Sequence, residues 1–325
     1  MEILALAGEN LISPIILSFA LGLGAALARS DLNVPEAAAK AMSIYLLFAI
    51  GFKGGASVAA HGIDATLILS VVAGLILSFG LPFLSFALLQ VMTGLSRIDA
   101  AAVAAHYGSI SIVTFVAATS VLEGQMLDPE GYMVAVAAVM EAPAILSALW
   151  LVARGGSGQS MDRELWREIL LNGSIVLLVG SFAIGALTGA DGLAEISAFV
   201  VTPFKGVLCL FLLDMGLIAG RGLRQSRGVV TLGAVAFAIT MPMISAAFGL
   251  AMGMLIGLSL GGVVLLMVLA ASASYIAVPA AMRVALPEAN PAVYLTLSLG
   301  VTFPFNLTLG IPLYLAAAQL MTGGS

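Results

Sequence analysis

The sequence predicts an all-α integral membrane protein: ten transmembrane helices in two inverted five-helix repeats, with helices 4 and 9 discontinuous. Composition, an ordered series of matches between the two halves, and the distribution of positive charge predict it. The chain of 325 residues is 61% hydrophobic and 9% charged, with a mean hydropathy of +1.15. A soluble domain carries about 25% charge. Residues 228–282 contain no Asp, Glu, Lys or Arg, and neither do residues 289–325. The first of these runs is 55 residues long, too long for one crossing of about 20 residues, so it holds two helices and a turn. Its apolar residues are continuous rather than alternating, which selects helices over a barrel.

Ten spans follow, at roughly 11–28, 39–58, 66–92, 97–123, 131–153, 168–187, 200–220, 229–256, 261–286 and 292–321. The first reads as a retained helix, because Met1–Asn10 holds two Glu and no Lys or Arg, whereas a secretory signal starts with positive charge. The longest loop, about Arg154 to Arg167, divides the chain into a first repeat, 1–155, and a second, 156–325. The net charge of −5 and the lack of any basic run give no sign of a nucleic-acid partner. Cys209 is the sole cysteine, so neither an internal disulfide nor a thiolate metal cluster can form.

The halves match in order. Gly51 and Gly55 correspond to Gly216 and Gly220 at an offset of 165, and Pro82 to Pro242 at 160. Ser109 and Ser111 correspond to Ser272 and Ser274 at 163, and Pro143 to Pro304 at 161. Any one match is cheap in a chain with 36 Gly and 12 Pro; the ordered series carries the weight. Five spans per half is an odd number, so the halves insert with opposite orientation. Charge gives an independent reading. Odd-numbered loops hold Arg29, Lys40, Arg97, Arg154, Arg163, Arg167, Arg221, Arg224, Arg227 and Arg283, while even-numbered loops and span ends hold only Lys53 and Lys205. Positive charge stays cytoplasmic, so both termini are expected outside.

Two spans break with small hydroxyl residues at repeat-related positions. These are His106-Tyr107-Gly108-Ser109-Ile110-Ser111 and Ala271-Ser272-Ala273-Ser274-Tyr275. Gly108 permits departure from helical angles. Ser109 and Ser111 suit the cap of a half-helix starting near Ile112, and Ser272 and Ser274 the cap of one starting near Tyr275. Pro279 frees the carbonyl of Tyr275. Two half-helix N-termini meeting near the midplane would offer N–H groups and partial positive charge, about 0.3–2 kcal/mol each toward an anion. The ligand expected from the residues is a small oxygen-rich anion. The competing reading is that these serines only pack closely or bond to the preceding turn.

Glu141 lies inside span 5, and its repeat partner is Thr302, in Thr302-Phe303-Pro304-Phe305-Asn306. An intramembrane carboxylate is expensive and points to function. Carboxylate, hydroxyl, amide and proline-freed carbonyl oxygens suit a hard cation such as sodium. A structural hydrogen bond and a proton-coupling role for Glu141 stay open beside it. Asp214 reads as a structural partner of Lys205 or a helix-end Arg, and His106 as a polar packing residue. Arg97 and Asp99 read as an interfacial anchor and a helix-start charge. Gly257-Leu258-Ser259-Leu260-Gly261 has nucleophile-elbow spacing, but helices flank it and no His follows it, so it is a turn and not a catalytic site. Zinc-protease and P-loop motifs are absent from the sequence. The sequence therefore gives no sign of an enzyme.

The segments SASYIAVPAAMRVALPEANP from Ser272, SLGVTFPFNLTLGIPLY from Ser298 and YGSISIVTFVAATSVLEGQ from Tyr107 resemble the sodium-dependent bicarbonate transporters first known from cyanobacteria. The resemblance runs over essentially the whole chain. It implies a gate domain, residues 1–60 and 165–225, and a core domain, residues 61–153 and 226–325. It implies bicarbonate where spans 4 and 9 cross, at Gly108, Ser109, Ile110, Ser111, Ser272, Ala273, Ser274 and Tyr275, and sodium near Glu141, Thr302, Phe303 and Asn306. It further implies sodium-coupled symport, elevator-like movement of core against gate, homotrimers among membrane lipid, a bacterial inner-membrane location and a PII-like trimeric regulator. Glu141 stands where the resemblance leads one to expect Asp, and the central loop is shorter than in those relatives. The alternatives are a sodium- or proton-coupled symporter of another small anion, and an anion channel.

Overall fold

The computed structural model describes residues 12–62, 64–153, 171, 173–225 and 231–323. Most of the central loop, with Arg154, Arg163 and Arg167, and also Arg227, lies outside the described residues. Among those described, the structure is helical and no strand occurs. Eight helical stretches are long and apolar enough to cross a membrane, and two shorter apolar helices, Pro14–Leu27 and Leu260–Ala271, accompany them.

In chain order the helices are α1 (Pro14–Leu27), α2 (Glu36–His61), α3 (Ala65–Met92), α4 (Arg97–Gly108) and α5 (Ile112–Gly124). Then come α6 (Met133–Val139), α7 (Pro143–Ala153), α8 (Gly173–Val200) and α9 (Phe204–Gln225). Last are α10 (Leu232–Ile256), α11 (Leu260–Ala271) and α12 (Ala277–Ala285), and α13, Pro291–Thr322. Spans 4 and 9 are each broken, as expected, into α4/α5 and α11/α12. Span 5 is broken too: Met140–Ala142 lies between α6 and α7. Pro143 disfavours helical angles at the residue before it, which places this break. Span 6, read as 168–187, ends close to that reading: Gly189 is not helical (φ 64°, ψ −151°), and past this kink a second helical piece runs on to Val200. Asp191 and Glu195 on that piece are exposed, so hydropathy does not register it.

Among the described helices α1 lies on α9, α2 on α8, and α9 also on α2. Elsewhere α3 packs on α4, α7 and α10, and α10 on α11, while α9 also meets α13 and both α2 and α8 meet α6. Glycines matched between the halves sit at close helix crossings. A Cβ on Gly216 would strike the Phe19 carbonyl oxygen of α1, and one on its match Gly51 the Ser181 hydroxyl of α8. Small residues let helix backbones approach this closely within a bilayer.

A second reciprocal pair fixes the broken helices. Ser96 caps α4 by accepting from Asp99 N at 3.0 Å, and Ser259, 163 residues later, caps α11 by accepting from Gly262 N at 3.0 Å. The loop of each half holds the cap of the other. Glu130 Oε1 accepts from Ser259 N at 2.7 Å and its other oxygen from Ser259 Oγ at 3.0 Å. Asn290 N donates to Asp99 Oδ1 at 2.7 Å. Gly257, the residue with elbow spacing, is a left-handed C-cap (φ 81°, ψ 37°) between two helices. Arg97 anchors the same α4 terminus, donating to the Leu151 carbonyl at 3.1 Å and lying over the Phe86 ring.

Candidate functional site

The two breaks meet. α4 ends at Gly108, Ser109–Ser111 is extended, and α5 starts at Ile112 with Ser111 as its cap. Ser111 Oγ accepts from Thr114 N at 3.2 Å and from Thr114 Oγ1 at 2.9 Å. Opposite it α11 ends at Ala271 and α12 begins at Ala277. The non-helical segments are laced together: Ser111 N donates to Ser272 Oγ at 2.9 Å, and Ser274 N donates to the His106 carbonyl at 2.8 Å. Paired backbone is what non-helical chain needs when it is buried at membrane depth.

Several expectations change in detail. The cap of the second half-helix is not Ser272, whose hydroxyl donates back to the Leu269 carbonyl at 2.9 Å. Ser274 Oγ reaches Val278 N only at 3.5 Å, and α12 starts two residues later than Tyr275. Pro279 stands third in α12, where a missing N–H costs nothing. Gly108 is helical and not at positive φ. A Cβ there would run into the Pro82 ring and lie 2.7 Å from the Ser78 carbonyl oxygen of α3. Close approach, not backbone freedom, demands glycine.

A cavity of about 10 Å³ sits at the crossing, lined by Ser111, Glu141, Ser274, Tyr275 and Leu47 of α2, with Ile110, Ile112 and Ile276 around them. That is about one water-sized sphere. Glu141, which lines this cavity, has a buried oxygen, Oε2, that makes no hydrogen bond, and Ser109 Oγ, buried two residues before Ser111, makes none either. Glu141 is 4% exposed. Ser111, Ser274, Tyr275 and Glu141 are thus brought together. Ser272 and Ala273 hold the crossing from behind, both buried.

Thr302, Phe303 and Asn306 form a brace that meets the cavity-lining Tyr275 through Phe303. Thr302 Oγ1 donates to the Ala238 carbonyl of α10 at 2.6 Å, so the Tyr107 hydroxyl, 2.7 Å away, is the donor to Thr302. Asn306 Nδ2 donates to the Ala271 carbonyl at the end of α11 (2.9 Å), and its Oδ1 accepts from Tyr314 OH at 2.8 Å. The Phe303 ring packs edge-on against Tyr275 and Phe19. This part of α13 is wound as π-helix at Thr296–Thr302 and Asn306–Gly310, a feature frequent at functional sites. Among the described residues no group of three or more His, Cys, Asp or Glu could hold a metal. A cation here would be held by hydroxyl, carbonyl and single carboxylate oxygens.

The remaining singled-out residues have structural surroundings. Lys205 pairs with Glu123 at 3.4 Å, not with Asp214, which is buried on α9. His106 stacks on Tyr294 with centroids 4.5 Å apart and holds the Ala102 carbonyl through Nδ1 at 2.7 Å. Leu47, Tyr107 and the break at Met140–Ala142 were not foreseen. Pro143 signalled the break and adjacency to Gly108 signalled Tyr107; nothing in the sequence marks Leu47.

Compared with curated proteins, the chain finds no match. Compared with models of protein families, residues 14–319 match the Na+-dependent bicarbonate transporter superfamily. The match takes in both breaks, Glu141 and the π-helical brace. With nearly its whole length accounted for, the chain belongs to the Na+-dependent bicarbonate transporter superfamily.

Proposed function

We propose that the chain is a sodium-coupled bicarbonate symporter of the bacterial inner membrane, with ten crossings in two inverted repeats and both termini outside. The observation that carries the reading is the crossing itself. Two broken helices are tied at Ser111–Ser272 and Ser274–His106, and a buried carboxylate with a partnerless oxygen faces the same cavity. Bicarbonate would sit between the first turn of α5 and Ser274, using the amides of Ile112 and Val113, which have no intrahelical partner. A negative Glu141 in that cavity opposes an anion, so sodium enters first and screens it. Sodium dependence follows from that order.

The group α1, α2, α8 and α9 serves as gate, and α3–α7 with α10–α13 as core. Elevator-like sliding of the core is supported by the grouping of helix contacts and by Leu47 of α2 facing core residues across the cavity. A cavity of one water-sized sphere must widen to admit a bicarbonate ion, and withdrawal of Leu47 does this without unwinding either break. A homotrimer among membrane lipid and a PII-like regulator on the cytoplasmic face remain part of the proposal through the family alone.

Purified chain in proteoliposomes, given labelled bicarbonate with an inward sodium gradient, a proton gradient or neither, tests the reading. Accumulation driven by sodium is expected. Uptake indifferent to sodium overturns it, pointing to a channel if it is passive and to proton coupling if the proton gradient drives it.

A further inference from the structure

Three cavities lie end to end along one face of α5. The outermost, about 230 Å³, is walled by α2 and α5 and opens beside Lys53 and Glu123. The second, about 10 Å³, shares Ile50 and Val116 with the first. The innermost shares Ile112 with the second and is the cavity of Ser111, Glu141 and Ser274. The lining residues repeat at helical spacing, as one face of each helix requires. On α5 they include Ile112, Val116, Thr119 and Glu123, with Val113, Phe115 and Ser120 beside them; on α2 they run from Ser43 and Leu47 through Ile50 to Lys53 and Ser57. Polarity and exposure grade along this line. Glu123 is exposed and Thr119 half-buried, while Val116 and Ile112 are buried.

A fourth cavity, about 370 Å³, flanks the same end of α5 and is lined by Ser120, Lys205 and Cys209. Both larger cavities therefore open between the two helix groups at the Glu123 end.

We infer that sodium and the anion reach the crossing from the Glu123 end of the seam, along the facing sides of α2 and α5, and that Ile50, Ile112 and Val116 form the apolar seal closing this route. The inference rests on the transport reading for what passes, but the route stands on the cavities. An ion cannot shed its water at an apolar constriction, so a ring of three buried aliphatic side chains blocks it. Ile112 is the first residue of α5, next to Ser111, so the seal and the anion's donors move as one piece. Ile50 belongs to the other helix group. Sliding of one group on the other parts the seal while leaving the Ser111–Ser272 bond intact.

Cys209 is the chain's only cysteine, so Cys209→Ser gives a cysteine-free background. Single variants Thr119→Cys, Val116→Cys and Ile112→Cys, reconstituted in liposomes, are exposed to a membrane-impermeant thiol reagent from either face. Modification is read as a mass shift. Thr119→Cys should react from one face only, the face reached by a Glu123→Cys control. Val116→Cys should react at least tenfold more slowly, and Ile112→Cys slower again. Modified Thr119→Cys should also lose bicarbonate uptake. Equal rates at the three positions, or faster reaction of Ile112→Cys from the opposite face, overturns the route. So does full uptake after Thr119→Cys is modified. Val116→Ser, with an unchanged melting temperature, should leak sodium without bicarbonate; a tight variant overturns the seal. Because labelling is read by mass, the route can hold even if the Cys209→Ser chain carries no bicarbonate, an outcome that sinks only the transport reading.

Discussion

The main-chain amide of Ser111 donates to the hydroxyl of Ser272, 2.9 Å away across the point where two broken helices meet. The same hydroxyl donates to the Leu269 carbonyl at 2.9 Å, so one small side chain closes the end of α11 and fixes the start of α5. Ser272→Ala leaves the Ser111 amide without a partner in a dry interior and the Leu269 carbonyl with only the long bond from the residue 272 amide at 3.4 Å, a loss of about 1–3 kcal/mol. We expect a lower melting temperature in detergent together with weaker uptake. Ser274→Ala removes only a long contact to Val278 N at 3.5 Å, so its melting temperature should hold. Its half-saturating bicarbonate concentration should rise about fivefold, equivalent to one hydrogen bond of about 1 kcal/mol. Equal melting losses in the two variants would assign Ser274 to packing.

Glu141 is the second test. Its carboxylate is buried, with one oxygen lacking any partner. Glu141→Gln keeps the shape and removes the charge. Since an unpaired buried charge destabilises a fold, the variant should melt no lower than the parent. Sodium for half-maximal uptake should rise at least tenfold, about 1.4 kcal/mol. A variant that melts much lower while keeping its sodium dependence would make Glu141 a structural residue.

Gly51, Gly55, Gly216 and Gly220 stand out in the sequence as matches between the halves, small residues at helical spacing; that they mark close helix crossings is seen only in the structure. The hydroxyl breaks were legible because a run of serine interrupts an apolar helix. The roles within the breaks were not. Whether Ser272 caps forward or bonds backward depends on which backbone atom lies 3 Å away, a matter of the crossing and not of local preference. Residue types and repeat position group Thr302 and Asn306 with Glu141, but give no sign of their hydrogen-bond partners. These are Ala238, Tyr107, Ala271 and Tyr314, mostly on segments distant along the chain. Leu47 is one apolar residue among many on α2 and carries no local signal.

Gly216→Ala and its repeat equivalent Gly51→Ala test those crossings. A Cβ at Gly216 would meet the Phe19 carbonyl oxygen, and at Gly51 the Ser181 hydroxyl with the Leu178 carbonyl oxygen 2.7 Å away. Overpacking of this kind costs about 1–3 kcal/mol. Ser181 can rotate its hydroxyl aside, which leaves at Gly51 the Leu178 carbonyl oxygen at 2.7 Å, a milder backbone clash than the one with Phe19 at Gly216, so Gly216→Ala should melt lower than Gly51→Ala. Gly80→Ala, where nothing lies within 4 Å, should match the parent. Equal melting in all three would mean the crossings are looser than described.

Tyr107 and Thr302 provide a cycle. Tyr107→Phe removes one hydrogen bond, about 1 kcal/mol, and leaves Thr302 bonded to Ala238. Thr302→Val removes both bonds and strands the Tyr107 hydroxyl in the core, adding the cost of an unsatisfied group. The double variant should therefore lose less stability than the two single losses added together, by about 0.5–3 kcal/mol. Strict additivity, measured by thermal unfolding in detergent, would separate the two residues.

The last test concerns Glu123, held by Lys53 of α2 at 3.9 Å and Lys205 of α9 at 3.4 Å. The carboxylate is on α5 and the lysines on α2 and α9, so the pairs bridge the proposed core and gate at the mouth of the α2–α5 cavity. All three side chains are substantially exposed, at 42%, 37% and 62%, and each such pair contributes only about 0–1 kcal/mol. Glu123→Gln should thus leave the melting temperature nearly unchanged. Its effect belongs on motion. If the pairs resist sliding of one group past the other, raising salt screens them and speeds uptake by the parent. In Glu123→Gln uptake should already be fast, with that salt response gone. Swapping the charges, with Glu123→Lys, Lys53→Glu and Lys205→Glu together, should restore it. A salt response that persists in Glu123→Gln, measured with sodium held constant and the added salt made up with an organic cation, would remove the ion pairs from the transport cycle.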